Sequence, residues 1–158
     1  MAKAAEVQLR GDDAFAAAGR AAVSVRGAEV FAHAAGVLDT TDIERVHAMR
    51  VATRRLRAVL EVFAAAFDKR EHRPVLRDVK ALADALGARR DPDVQIDAFE
   101  RMRGELPESA GPGIDRMIAT LRAEQADGNA ILAGALKEAE RSDLAGRLRA
   151  LAEEDDPA

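Results

Sequence analysis

The stretch VHAMRVATRRLRAVLEVF, residues Val46 to Phe63, decides the reading of the fold. At about 100° per residue, Met49, Ala52, Leu56, Val59, Leu60 and Phe63 share one side of a helix, and Phe67 continues it. His47, Arg50, Arg54 and Arg57 gather within about 80° of one another on the other side, at the helical spacings of three and four. The segment therefore reads as an amphipathic helix with a core face and a cationic stripe opposite. Like charges at these spacings disfavour a helix by roughly 0.2–0.5 kcal/mol per pair, so the stripe is expected to serve something outside the helix. A multivalent anion fits. Arginine's planar fork donates two parallel hydrogen bonds to phosphate oxygens and stays charged at any physiological pH. Ten residues at 1.5 Å rise put His47 and Arg57 about 15 Å apart, room for several linked phosphates.

Working outward, Thr41 and Glu44 read as a capping box that starts this helix near Asp42, and the helix is expected to reach about Phe67. A first helix precedes it from about Asp12 to Val37, ending near Gly36. A third helix follows, with Pro74 in its first turn, Val75, Val79, Leu82, Ala83 and Leu86 buried, and Gly87 as its stop. Asp91 and Pro92 read as an N-cap and first residue of a short helix towards Arg103. Leu106 to Gly113 is a Pro- and Gly-rich loop. A long helix then runs to about Arg141, Ser142 caps a last one carrying Leu144, Leu148 and Leu151, and AEEDDPA forms an acidic tail. These six helical segments imply an all-α, four-helix-bundle-like single domain over residues 1–158, with its core from about 12 to 152. Helices three and four share one bundle position.

Composition agrees with an all-α chain. Trp and Tyr are absent and aromatic content is 3%, while alanine and leucine dominate. The absence of cysteine excludes disulfides and thiolate metal sites. No apolar run is long enough to span a membrane, so a cytoplasmic chain is expected. The net charge of −4 is unevenly spread: twelve Lys or Arg and five Asp or Glu fall between Arg45 and Arg90, a local charge of +7, leaving −11 elsewhere. An anion site on an otherwise acidic surface follows.

Val46 to Phe63 resembles the signature helix of the CHAD family, the conserved histidine α-helical domain. A second match lies downstream, where Lys80 precedes LADALGARRDPDV, which ends at Val94. The resemblance implies an all-helical fold that binds inorganic polyphosphate through a basic surface. It also implies association with polyphosphate granules or with polyphosphate-metabolising enzymes as partners. Carried over by position, it points to His47, Arg50, Arg54, Arg57, Lys80 and Arg90, with Arg55 as part of the double arginine. Arg77 and Arg73 lie along the face of Lys80 and support it. Family members usually contain two related bundles, and this chain matches the first. A homodimer is one way to bring two basic faces together.

Other readings compete. The plainest treats His47 to Arg57 as a solvated charged face. A histidine phosphotransfer module would use His47 steadied by Arg50, but three further cations then go unused and Val51 crowds the approach. Glu44 and His47 have the i, i+3 spacing of a carboxylate-bridged metal bundle, yet no second pair exists. A basic helix could contact RNA, although the lack of Trp and Tyr removes the usual stacking platforms and disfavours nucleic acid. No acid–base pair or nucleotide-binding glycine loop accompanies the stripe, so binding without catalysis and without cofactor or metal is expected. Glu61 on the stripe either holds a cation in place or lowers the net charge of the face. Asp91 is read as a cap, and His33 and His72 as incidental.

Overall fold

A computed structural model describes residues 4–153. Among them the fold is all-α: five helices packed as a bundle, with no strand. The helices are α1 (Phe15–Ala32), α2 (Ile43–Val62), α3 (Lys69–Glu105), α4 (Gly111–Arg141) and α5 (Leu144–Ala152), with short 3-10 turns at Ala64–Ala66 and Glu108–Ala110. Helix α3 packs on α2 and α4, and α1 packs on α2 and α5. Most of the acidic tail lies outside the described residues.

The core takes Val23 and Val30 from α1, Met49, Leu56 and Leu60 from α2, Val79 and Leu86 from α3, Leu132 from α4 and Leu144 from α5. Each buries about 1.5–3 kcal/mol worth of apolar side chain. Ala83, expected inside, is only half-buried.

Several boundaries move. Helix α1 ends at Ala32, because the chain turns through Gly36 in the left-handed region at φ 70 and tucks Val37 into the core. The Thr41–Glu44 capping box does not form. The Thr41 hydroxyl donates to Asp39 Oδ1 at 2.7 Å, and the N-cap of α2 is Asp42, whose carboxylate pairs instead with Arg45 Nε at 3.0 Å. Helix α2 stops at Val62. Helix α3 starts five residues before Pro74, with Asp68 accepting a 2.7 Å bond from the Arg70 N–H. At the far end, Asp143 caps α5 through Gly146 N, and Ser142 closes α4.

The largest correction concerns Gly87 and Pro92. Neither ends a helix, and Asp91 caps nothing, because α3 runs unbroken for 37 residues, about 55 Å. A proline inside a helix costs about 3 kcal/mol, and here tertiary packing outweighs it. Pro92 is buried, and its missing N–H leaves the Ala88 carbonyl without its helical partner. Gly128 of α4 fits against that carbonyl, since a Cβ there would come within 2.8 Å of Ala88 O. The Arg89–Asp93 ion pair spans the same turn. The two segments expected to share one bundle position are thus one helix.

Candidate anion-binding face

Helix α2 buries Val46, Met49, Ala52, Thr53, Leu56 and Leu60. Thr53 joins this set because its hydroxyl donates to Met49 O at 2.8 Å, which removes the cost of burying it. Val46 bounds the buried arc on the cationic side with Thr53 beside it, and the stripe runs along that edge rather than diametrically opposite. His47, Arg50 and Arg57 are accordingly half-buried, and Arg54 is exposed.

That edge faces α3. Glu61 accepts from Arg57 Nε at 3.1 Å and lies 3.1 Å from Lys80 Nζ, so one carboxylate joins cations of two helices. Hydrogen bonds from Lys80 and then Arg57 hold Glu61 below the ordinary carboxylate range. The helices run antiparallel, with Ile43 of α2 sharing a groove with Ile96 and Asp97 of α3 at the other end. In this register the His47 end of the stripe lies towards Arg90. Arg90 is half-buried, and its Nη1 is buried without a hydrogen-bond partner.

His47, Arg50, Arg54, Arg57, Lys80 and Arg90 thus flank one seam between α2 and α3. Two of the sequence candidates point elsewhere. Arg55 faces α1, where its charge acts on Glu29. Burial works against ionised Glu29, but hydrogen bonds from Arg26 and the Ala5 N–H, with the charges of Arg26 and Arg55, bring it below its usual range. Arg77 Nε is held to Asp78 at 3.0 Å, and the same carboxylate takes Arg147 of α5 at 2.6 Å. Burial opposes the charge on Asp78, and Arg147 and Arg77 together outweigh it, lowering its pKa.

The RRDP element also holds a buried network that sequence reasoning missed. Arg89 is fully buried, donates through Nε to Asn129 Oδ1 at 3.1 Å and pairs with Asp93. Gln125 donates to Asp93 at 2.6 Å, while Asn129 Nδ2 donates to Leu38 O at 3.0 Å. This network ties α3, α4 and the α1–α2 connection together behind the face. Its signal was present: Leu82, Leu86, Arg89, Asp93 and Ile96 continue a single helical period, placing two charges at core positions. His72 is not incidental either. It is buried, stacks on Phe67 with ring centroids 5.7 Å apart, and its Nε2 donates to Leu60 O at 2.8 Å, a carbonyl near the end of α2.

Among the described residues no group of three or more His, Asp or Glu side chains is placed to hold a metal, and no helix is long and apolar enough to cross a membrane. Fold and site together define an all-helical bundle with a cationic seam between two antiparallel helices. The sequence model of the CHAD domain matches residues 21–158, and the chain belongs to that family. No curated protein and no solved structure matches it.

Proposed function

We propose that the α2–α3 seam binds inorganic polyphosphate, and that the protein acts by binding rather than by catalysis. The observation that carries this reading is the row of cations from two helices, His47, Arg50, Arg54 and Arg57 on one and Lys80 and Arg90 on the other, with Glu61 bridging Arg57 to Lys80. Either row extends about 15 Å along its helix, so the anion it suits is extended rather than compact. Membership in the CHAD family supports the same ligand.

Guanidinium groups supply bidentate contacts along the phosphates, Lys80 and His47 add point contacts, and binding releases counterions from the polyanion. Placement on polyphosphate granules, or beside an enzyme that handles the polymer, is the role such a site serves best. A second copy of the chain would add another cationic row.

Titration of the purified protein with long-chain polyphosphate at two salt concentrations tests the reading, with RNA and orthophosphate as competitors. Salt-sensitive binding that neither competitor displaces is expected. Absence of binding at low salt, or equal competition by RNA, overturns it.

A further inference from the structure

The α3 side of the seam has a pattern of its own. Lys80, Ala83, Gly87 and Arg90 follow spacings of three, four and three, the same as His47, Arg50, Arg54 and Arg57 on α2. Within each helix these positions lie in an arc of about 80°. Because the helices are antiparallel, with Glu61 joined to Lys80 near one end and Ile43 beside Ile96 and Asp97 near the other, the two patterns run in opposite directions along the seam. The two central positions of the α2 row are arginines, whereas the two central positions of the α3 row, between Lys80 and Arg90, are its smallest residues.

Gly87 has no structural need to be glycine. A positive φ would require it, but among the described residues the glycine with positive φ is Gly36. Close approach of a neighbour would also require it, yet a Cβ built at Gly87 meets nothing within 4 Å. Its cost is plain, since glycine inside a helix is less favourable than alanine. The residue weakens α3 in the middle of the cationic frame and leaves open space there.

We propose that Gly87, with Ala83, is the specificity-determining floor of the seam. Its missing side chain lets a slender, linear phosphate chain settle between the helices, within reach of Arg50 and Arg54 from one side and Lys80 and Arg90 from the other. The inference rests on the polyphosphate reading and adds to it the shape of the ligand. An unbranched chain fits, whereas a duplex nucleic acid is too broad to enter the seam. Arg90, three residues along α3 from Gly87, has its Nη1 buried without a partner, a donor such a chain would satisfy.

The experiment compares Gly87→Gln and Gly134→Gln with the unsubstituted chain. Gly134 is exposed on α4 and a Cβ there also meets nothing within 4 Å, so both changes add the same uncharged side chain to a helix with room for it. Both are expected to raise the melting temperature by roughly 2–4 °C. Gly87→Gln is expected to weaken long-chain polyphosphate binding about tenfold, the loss of roughly one charged hydrogen bond, and Gly134→Gln to leave it unchanged.

Unchanged binding by Gly87→Gln overturns the inference while the polyphosphate reading stands. A fall in melting temperature confined to Gly87→Gln also overturns it, because the space would then be filled. Absence of binding by the unsubstituted chain overturns both.

Discussion

Gly128 of α4 stands so close to the Ala88 carbonyl of α3 that a Cβ would lie 2.8 Å from its oxygen. The contacting atom is backbone in a helix already lacking a bond at Pro92, so a methyl group could be accommodated only by parting the helices. Gly128→Ala is therefore expected to lose about 1–3 kcal/mol of stability despite alanine's better helix propensity. Gly134→Ala, in open space, should gain about 0.5–1 kcal/mol. Urea unfolding of both variants checks this, and a stabilised Gly128→Ala would remove the close approach from the account of why α3 and α4 pack as they do.

Behind that contact lies the Arg89–Asp93 pair, both side chains fully shielded from water. Removing one partner leaves a buried charge unpaired, so Arg89→Met alone should cost about 3–5 kcal/mol. Arg89→Met with Asp93→Leu should recover much of that loss, because neither charge then remains. Additive losses in a double-mutant cycle would show that each residue acts through Asn129 or Gln125 instead.

The helix pattern of α2 was legible because its apolar period is strong, and that period also displays the cations at spacings of three and four. Edge placement of the stripe was not legible. It depends on Val46, outside the apolar set read from the sequence, being the buried residue nearest the cations, and on Thr53 beside it being buried with its hydroxyl bonded to the backbone. The boundary at Asp91–Pro92 was misread for a related reason. Local propensity does favour a break there, but packing against α4, the glycine opposite Ala88 and the Arg89–Asp93 pair are long-range features that outweigh it. Arg55 enters the site reading through the double arginine of the family motif and Arg77 through the face of Lys80, but Arg55 acts on Glu29 of α1 and Arg77 shares Asp78 with Arg147 of α5, contacts between elements that neither motif nor period displays.

Acid should destabilise the fold through those two carboxylates. Glu29 and Asp78 both titrate below their ordinary values of 4.5 and 3.8 in the folded chain. A lowered folded pKa means that the unfolded chain takes up protons first. The stabilisation is complete above the ordinary carboxylate range and is lost as pH falls through the lowered folded values. Asp78→Asn, which loosens Arg147 of α5, should therefore melt lower than the unsubstituted chain at pH 7, with the gap closing as pH falls below the ordinary aspartate range and through the lowered folded value. A gap that stays constant with pH would assign the loss to geometry rather than charge.

Replacing Arg50 and Arg54 together with alanine removes the centre of the cationic row without touching the core, since Arg54 is exposed and Arg50 half-buried. Polyphosphate affinity is expected to fall about a hundredfold at low salt, and the salt slope should become shallower by about two ions. Far-ultraviolet circular dichroism should be nearly unchanged. Collapse of helicity would give these arginines a structural role.

Glu61 is the sharpest test of how the seam is balanced. It neutralises part of the charge of Arg57 and Lys80 while fixing both in place, and the two effects oppose each other when an anion arrives. At an exposed position ion pairs contribute little order, because solvent screens them and long side chains resist being held. The electrostatic effect should then dominate. Glu61→Gln is expected to tighten polyphosphate binding severalfold and to steepen its salt dependence by about one ion, with little change in melting temperature. Isothermal titration at three salt concentrations separates the outcomes. Weaker binding with an unchanged slope would mean that Glu61 serves chiefly to hold Lys80 against Arg57, and that the α3 cations reach the ligand only when so held.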